Sequence, residues 1–333
     1  MLSSENYRRM SSAHLPPYTS RMTLSLEHHL PHWLAEHFDL PGEPEVSILR
    51  AYTNDVYLVT TCGGRCVLKV YGAGWRLDSE IRFEIDLLDH IASRGVLVAR
   101  PIDGANGEVL QFVTGNGRQR QAVLFEYAAG EKPAPPFSPG MYEREGKAVA
   151  ALHRAGDDFA TPYERRTLNL TTLIDEPLAL VQSLGIDDST MQAIVEFSRR
   201  VRARLEAFIA AGLDWGICHG DLTFDNLHVT GDGDFVWYDF DSGGFGWRAI
   251  DVQGWAYGRP ERHDRWQAFL RGYREIRPLG DNDIAAAPFL CAAQEIWGIQ
   301  TDLERRVLAQ GDEFVHSYMA DAAKQLQAMK HRL

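Results

Sequence analysis

Three side chains between residues 218 and 239 could support the transfer of a phosphoryl group. The segment 218–226 reads Cys-His-Gly-Asp-Leu-Thr-Phe-Asp-Asn, and a further carboxylate follows at Asp239. A phosphoryl group passes through a loose, highly charged transition state, so a protein mainly orients the reactants and neutralises charge. Asp221 could orient an attacking hydroxyl group and accept its proton. Asn226 and Asp239 could hold magnesium ions through their oxygen atoms.

The spacing of these three residues makes the signal specific. Asn226 follows Asp221 by five positions, and Asp239 follows a predicted strand, turn and strand. This is the spacing of a kinase catalytic loop and its metal-binding segment. The His-Gly-Asp sequence at 219–221 resembles the catalytic loop of the aminoglycoside phosphotransferase and choline kinase superfamily. The alternative is that His219 packs in a core and that the carboxylates only form turns.

A lysine within an apolar strand is the next candidate. Lys69 lies in Val-Leu-Lys-Val, where a buried ammonium group is costly unless it has a partner. In a kinase, this lysine contacts the α- and β-phosphates and pairs with a helix glutamate. Glu80 and Glu84 are candidates, and Glu84 is favoured because it adjoins the apolar face of the predicted helix 79–93. The alternative for Lys69 is a snorkelling lysine on an edge strand.

The predicted elements are mostly strands in the first part of the chain and mostly helices after residue 139. Their periodicity predicts strands over 46–51, 56–61, 66–71, 109–113 and 122–127, and later helices over 142–154, 189–211, 262–274, 285–310 and 312–330. This is the α+β, two-lobed architecture of protein kinase-like folds, with a small β-rich N-lobe and a larger helical C-lobe. We expect a flexible arm over 1–23, a nucleotide-binding N-lobe over 24–126, and a C-lobe over 127–333 with the catalytic loop and the acceptor pocket.

Two backbone segments of the N-lobe are candidates for nucleotide binding. The N–H groups of the turn at Thr53, Asn54 and Asp55 could bind phosphates, although an ordinary hairpin turn is the alternative. The turn lacks the Gly-x-Gly-x-x-Gly of protein kinases and resembles the Asn-x-Val-Tyr turn of homoserine kinase type II. At the end of the N-lobe, Glu126 and Ala128 could form backbone hydrogen bonds with an adenine.

The stretch after Asp239 argues against one form of regulation. Only residues 240–250 separate Asp239 from Asp251, which leaves no room for the activation segment of eukaryotic-type protein kinases. The superfamily resemblance implies that Asp251 braces the catalytic loop, with a helix N-cap as the alternative. It also implies that Asp241 faces the substrate and could bind an amine, with a solvated turn residue as the alternative.

The acceptor pocket is expected in the helical lobe. Trp255 and Tyr257 follow the catalytic segment, and Glu295 and Trp297 lie in the sequence Gln-Glu-Ile-Trp-Gly within an otherwise apolar helix. Together with Asp241, these residues are the candidates for contact with the acceptor. An aromatic residue in such a helix more often packs in a core, which is the alternative for Trp297.

Composition argues against several other classes of function. A net charge of -12 over 333 residues disfavours nucleic-acid binding, which needs clustered Lys and Arg. No apolar run approaches the roughly 18–20 residues of a membrane span, and residues 1–22 lack the apolar core of a secretory signal. Four cysteines do not suggest a disulfide framework. We expect a cytoplasmic protein without nucleic-acid or membrane partners.

The resemblance covers residues 24–310, and the segments 152–154 and 166–170 are nearest the branch of homoserine kinase type II and bacterial stress-response kinases. It implies transfer of the γ-phosphate of ATP, with Mg²⁺, to a hydroxyl group of an amino alcohol or a hydroxy amino acid. A Ser/Thr protein kinase of the stress-response type, an antibiotic phosphotransferase and a non-catalytic nucleotide-binding module are the alternatives. The last is disfavoured because all five expected groups are present: Lys69, Glu84, Asp221, Asn226 and Asp239. The sequence leaves the oligomeric state and the choice between ATP and GTP open.

Overall fold

The computed structural model describes residues 28–115, 117–252, 263–307, 310–330 and 333. These residues form two compact units. The first comprises residues 28–93, 97–129 and 161–164, and the second comprises 94–96, 130–160 and the described residues from 165 onward. The predicted arm over 1–23 lies outside the described residues, and the predicted boundary between residues 126 and 127 stays a prediction.

The first unit is built on a five-stranded antiparallel sheet. Its elements are α1 (Leu30–His37), β1 (Glu45–Ala51), β2 (Asn54–Thr61), β3 (Gly64–Tyr71), α2 (Asp78–Ser93), β4 (Gln111–Gly115) and β5 (Arg118–Glu126). The strands lie in the order β1-β2-β3-β5-β4. Lys69 on β3 is paired with Val56 on one side and Val123 on the other, so it does not lie on an edge strand.

Alternate side chains of β3 face opposite sides of the sheet, as in any strand. Leu68 and Val70 are buried in one cluster with Leu30 and Leu34 of α1. Lys69 therefore points to the other side of the sheet. The Val-Leu-Lys-Val pattern thus buries two apolar residues beneath α1 and directs the lysine away from that core.

The second unit is mainly helical. Its helices are α3 (Pro139–Ala155), α4 (Glu176–Ser183), α5 (Asp188–Ala210), α6 (His263–Ile276), α7 (Asp281–Asp302) and α8 (Asp312–Lys330). Two small antiparallel sheets pair β6 (Trp215–Cys218) with β9 (Gly244–Trp247), and β7 (Leu227–Val229) with β8 (Phe235–Trp237). Short 3₁₀ helices span Phe240–Ser242 and Arg248–Asp251, and π-helical turns span Thr171–Asp175 and Leu303–Val307. The segment 219–226 is therefore held between the ends of two sheets.

The second unit is packed through a hydrophobic cluster and through a close approach of two helices. Phe197 of α5, Leu290 of α7 and Met319 of α8 are buried in one large hydrophobic cluster. Helices α3 and α6 approach each other through glycines, because a Cβ atom at Gly146 or Gly272 would overlap the backbone of the other helix. This contact fixes the position of α3 beside α6, and both helices contribute to the site described below.

Helix α4 and strand β9 are elements that the sequence patterns did not predict. Helix α4 has proline in its first turn, a position that tolerates a missing N–H group. Strand β9 contains two glycines, which are depleted in strands. Its Gly246 is required sterically, since a Cβ atom there would lie 2.7 Å from the Cβ of Leu168. The predicted α+β class is confirmed. Within the described residues, no helix is both long enough and apolar enough to cross a membrane.

Candidate active site

The catalytic loop, residues 219–226, brings Asp221 and Asn226 into contact. The Nδ2 of Asn226 donates to the backbone oxygen of Asp221 and to its carboxylate Oδ2, each at 2.9 Å. Both partners only accept hydrogen bonds, so the amide nitrogen must face them and the Oδ1 of Asn226 faces elsewhere. Asn226 is buried, whereas Asp221 is exposed. A buried amide therefore orients an exposed carboxylate, as a general base requires.

Asp239 occupies an unusual backbone conformation beside this loop. Its φ is 64° and its ψ is 59°, and it is the only non-glycine residue with positive φ among those described. Such a conformation is uncommon for residues with a side chain, and it concentrates at functional sites. The N–H of Tyr238 donates to the backbone oxygen of Asn226 at 3.0 Å, which holds the two segments together. Arg165 binds the carbonyl oxygens of the two residues after Asp239, at 3.2 Å for that of Phe240.

The oxygen atoms of Asn226 and Asp239 fit a divalent cation. In the part of the chain that the structure describes, no group of three or more His, Cys, Asp or Glu residues could hold a metal ion. Mg²⁺ in phosphoryl-transfer sites is usually held by one or two protein groups and by the phosphates of the substrate. The Oδ1 of Asn226, which faces away from Asp221, and the carboxylate of Asp239 match that donor set. Their role as metal ligands stays a prediction, with donor chemistry that fits it.

His219 supports the catalytic loop through both ring nitrogens. Its Nε2 donates to the backbone oxygen of Tyr238 at 3.1 Å, and its Nδ1 accepts from the N–H of Asp221 at 3.3 Å. A carbonyl only accepts and a backbone N–H only donates, so the imidazole is the neutral tautomer protonated at Nε2. Burial, and secondarily the charge of Asp251, raises the pKa of the adjacent Cys218 thiol well above its usual value. Both ring nitrogens of His219 are thus engaged by the backbone, and the raised pKa disfavours the thiolate form of Cys218.

Asp251 holds the backbone of the catalytic loop. Its carboxylate accepts from the N–H of His219 at 2.7 Å and from that of Gly220 at 2.8 Å. The Nε2 of His153 on α3 is a third partner at 3.1 Å, and the Nδ1 of His153 lies 2.8 Å from the hydroxyl of Tyr273 on α6. We call Asp251, His153 and Tyr273 the Asp251 chain. The expectation that Asp251 braces the catalytic loop is confirmed by these contacts.

The first unit contains the predicted pair of Lys69 and Glu84. The Nζ of Lys69 lies 3.2 Å from the Oε1 of Glu84, and both side chains are buried. The hydroxyl of Tyr71 donates to the other carboxylate oxygen of Glu84 at 3.3 Å. Glu80 instead accepts a hydrogen bond from the backbone of Leu77 at the start of α2. The contact agrees with the choice of Glu84 over Glu80, while the role of the pair with phosphates stays a prediction.

A family model described as a phosphotransferase enzyme family matches residues 45–279, a range that includes Lys69, Glu84 and the catalytic loop. The chain belongs to this family. It is a phosphotransferase that acts on hydroxyl groups, as predicted.

Two relatives and one solved structure show how similar known proteins are to this phosphotransferase. An uncharacterized protein of Deinococcus radiodurans is 37% identical over 263 residues, which cover 77% of this chain and 76% of that protein. A homoserine kinase of Methylobacterium radiotolerans is 28% identical over 252 residues, which cover 73% and 75%. The amicoumacin kinase hAmiN, solved in complex with AMP-PNP, Ca²⁺ and Ami, has a TM-score of 0.72 at 19% identity and covers 91% of this chain and 93% of that chain. The predicted superfamily, its nearest branch and the two-lobed protein kinase-like fold are confirmed.

The predicted phosphate turn of the phosphotransferase is held by its side chains. The Oδ1 of Asn54 accepts from the N–H of Gly72 at 3.2 Å. The carboxylate of Asp55 is buried and accepts from the Nη1 of Arg120 at 2.6 Å. These side chains point into the first unit, so any contact between Asn54 or Asp55 and phosphates would use the backbone. Together with Thr53, the two residues remain predicted phosphate contacts.

The predicted adenine contacts lie at the end of β5. The N–H of Glu126 donates to the backbone oxygen of Arg100 at 2.8 Å. Glu126 could therefore bind an adenine only through its carbonyl oxygen, while Ala128 is buried two residues later. The ring of Tyr127 lies beneath the guanidinium of Arg65, 3.9 Å from the ring centre to Cζ. The adenine-binding roles of Glu126 and Ala128 stay predictions.

The predicted acceptor residues fall into three groups. Trp255 and Tyr257 lie outside the described residues. Trp297 is buried in the hydrophobic cluster of the second unit, which agrees with the packing alternative. Asp241 is buried two residues after the metal-ligand candidate Asp239, and Glu295 on α7 is half-buried, with a pKa raised first by burial and then by Asp302. Acceptor contacts by these residues stay predictions.

Helix α7 supplies a contact that sequence reasoning missed. The Nε2 of Gln294 donates to the backbone oxygen of Gly220 at 2.7 Å, so this residue, and not its neighbour Glu295, reaches the catalytic loop. Gly220 has a φ of +79°, and a Cβ atom there would overlap the backbone of Ser242. The signal for Gln294 was an amide in an otherwise apolar helix, but nothing local indicated its partner 74 residues away.

Proposed function

We propose that the phosphotransferase transfers the γ-phosphate of ATP, with Mg²⁺, to the hydroxyl group of a small amino alcohol or hydroxy amino acid. The observation that carries this proposal is the catalytic loop, in which Asn226 orients the exposed carboxylate of Asp221 and Asp251 holds the backbone. A carboxylate held in this way can accept the proton of a hydroxyl group as that group attacks phosphorus.

Each remaining group has one task in this reaction. Asn226 and Asp239 would hold the metal ion, which neutralises charge on the phosphates when it is bound. Lys69, kept in place by Glu84, would bind the α- and β-phosphates. The backbone of the turn at 53–55 would add N–H donors to the phosphates. The complex of hAmiN with AMP-PNP and Ca²⁺ supports the use of a nucleotide and a divalent cation.

The relatives support a small acceptor. The similarity to homoserine kinases favours a hydroxy amino acid, which offers a primary hydroxyl group to Asp221 and an ammonium group to an acidic side chain. Asp241 is a candidate for that ammonium group because it lies two residues after Asp239 and is buried. An antibiotic acceptor has support only from similarity of fold, to an amicoumacin kinase and a spectinomycin phosphotransferase. The segment 240–250 is too short for the activation segment of a eukaryotic-type protein kinase.

The test is ADP release from ATP and Mg²⁺ across a panel of acceptors. The panel contains L-homoserine, other hydroxy amino acids, amino alcohols, aminoglycosides, macrolides and a generic protein substrate. We expect acceptor-dependent ADP release with a small amino alcohol or hydroxy amino acid. Turnover only with an antibiotic or only with the protein substrate would contradict the proposed acceptor class.

Asp221→Asn tests the base, with Asp225→Asn as the matched control in the same loop. The amide keeps the shape of Asp221 but cannot accept the proton, so kcat should fall by about 10²–10⁴-fold while nucleotide binding survives. Asp225 pairs with Lys132 at 2.9 Å, so its substitution removes one carboxylate from the same loop, and we expect nearly unchanged kcat. Unchanged turnover by Asp221→Asn would refute the assignment of Asp221 as the base.

A further inference from the structure

Four charged residues of the second unit form a closed ring of ion pairs. The guanidinium of Arg248 contacts Asp214 at 2.9 Å and Asp157 at 2.8 Å. The guanidinium of Arg277 contacts the same two carboxylates, Asp214 at 3.0 Å and Asp157 at 2.6 Å. Charges of opposite sign therefore alternate around the ring. We call these four residues the charge ring.

The ring is enclosed by the fold around Arg248. The Arg248 side chain is only 4% exposed, and a Cβ atom at Gly216 would overlap its guanidinium. Position 216 in β6 must therefore be glycine to admit this arginine. The backbone N–H of Asp214 donates to Asp283 at the start of α7, and that of Arg248 donates to the backbone oxygen of Asp214. Such an arrangement is more specific than a surface ion pair, which is worth little by itself.

Each member of the charge ring is linked by a few residues of chain to a group that holds or forms the catalytic loop. Asp214 immediately precedes β6, which leads directly into His219. Arg248 and Asp251 are the first and last residues of one 3₁₀ turn, where residues three apart lie above each other. The hydrogen bond from the N–H of His219 to the carboxylate of Asp251 joins these two segments.

The other two ring members, Asp157 and Arg277, are close in sequence to residues of the Asp251 chain. Asp157 follows His153 by four residues at the end of α3. Arg277 follows Tyr273 by four residues, and its N–H donates to the backbone oxygen of Tyr273 at 3.0 Å. The charge ring and the Asp251 chain are therefore built on the same segments of the chain. The ring residues Asp157 and Arg277 each lie about one helical turn after a residue of the Asp251 chain.

We propose that the charge ring positions the catalytic loop, with Arg248 and Arg277 as positioning residues that act through Asp251 on Asp221. The proposal rests on the proposed function for its effect on turnover. The ring fixes the spacing of the four segments, and the Asp251 chain passes that spacing to the backbone N–H groups of His219 and Gly220. A misplacement of about 1 Å in a catalytic group can reduce turnover a hundredfold, so such a support has a measurable effect.

The test uses Arg277→Ala and Arg277→Lys in the full-length protein. Arg277 is preferred because Arg248 is buried more deeply, and its replacement would disturb folding more. Arg202→Ala is the matched control, since Arg202 contacts both oxygens of Asp175 at 2.8 Å in the same unit. Hydrogen exchange of a peptide covering 218–226 reports the loop without any acceptor. A peptide from the core of α7 reports global stability.

We expect Arg277→Ala to speed exchange of peptide 218–226 by roughly tenfold relative to the α7 peptide, with a smaller effect for Arg277→Lys and none for Arg202→Ala. With ATP and L-homoserine, kcat should fall roughly tenfold to a hundredfold while both KM values change little. Equal acceleration of both peptides, or an unchanged loop, would overturn the proposal. If the variants exchange as expected but the wild-type protein turns over no panel acceptor, the result would count against the proposed function and leave the positioning role intact.

Discussion

The two units hold their functional groups in different ways. In the first unit, Lys69 is anchored by Glu84, and Asp55 of the phosphate turn by Arg120. In the second unit, the catalytic loop is held by Asp251, which accepts three hydrogen bonds and belongs to a chain that continues through His153 to Tyr273. The first unit thus relies on ion pairs between neighbouring elements, and the second on a connected network.

The difference follows from what each region must do. In the proposed function, several groups of the first unit would share the binding of a polyphosphate, so that a small error in one of them would be absorbed by the others. The second unit would have to place a single exposed carboxylate, that of Asp221, against one hydroxyl group, and such geometry has a narrow tolerance. We therefore expect substitutions in the first unit to act mainly on nucleotide affinity, and substitutions in the second to act mainly on kcat.

Among the substitutions that test this contrast between the units, Asp251→Asn should have the largest effect. The amide replaces one acceptor oxygen by a donor, so at least one of the N–H groups of His219, Gly220 and His153 loses its acceptor inside the protein. We expect kcat to fall roughly a hundredfold and the free energy of unfolding to fall by about 1–3 kcal/mol for each donor left unsatisfied. Steady-state kinetics and denaturant unfolding measure the two effects.

The control for this substitution is Asp175→Asn, which removes a half-exposed carboxylate paired with Arg202 in the same unit. A surface ion pair contributes about 0–1 kcal/mol, so this variant should keep its stability and its kcat. If Asp251→Asn kept wild-type kcat at a temperature where it is folded, the catalytic loop would not depend on its network. The contrast between the two units would then fail.

The residues predicted from sequence are those whose signal is local. Asp221, Asn226 and Asp239 stand at fixed offsets, and Glu84 was selected by its place on a helix face. The members of the charge ring were not predicted, because Arg248 meets Asp157 across 91 positions and each residue by itself resembles a solvated charge. Strand β9 was missed because its glycines disfavour strands, and their reason is steric, namely the approach of other segments. Local spacing therefore predicts the candidate reactive groups, whereas tertiary packing determines what holds them.

Lys69→Met should have the next largest effect. We expect this effect in kcat/KM for ATP. The substitution removes the positive charge that Lys69 would offer to the phosphates, and it breaks the buried ion pair with Glu84. We expect kcat/KM for ATP to fall roughly a hundredfold, with little change in KM for the acceptor. Lys147→Met is the control, since Lys147 forms an exposed pair with Glu275 at 2.7 Å. A loss confined to the acceptor KM would show that Lys69 does not bind phosphates.

The smallest effect on activity is expected when both partners of the buried pair in the phosphate turn are replaced. Arg120→Met or Asp55→Leu alone leaves an uncompensated buried charge and should lower the free energy of unfolding by about 3–5 kcal/mol. The double variant should recover most of that loss, because apolar residues of similar volume often replace a buried ion pair at little cost. Arg120 also donates to the backbone oxygens of Val70 and Tyr71, so recovery should be incomplete.

Kinetics of the double variant decide whether the two units differ. If the first unit needs only a filled volume beneath the phosphate turn, kcat should stay near the wild-type value and KM for ATP should rise by less than about threefold. A fall in kcat comparable with that of Asp251→Asn, in a double variant that has regained its stability, would show that the phosphate turn also requires polar positioning. Both units would then hold their functional groups equally strictly, and the difference in tolerance argued from shared phosphate contacts would be wrong.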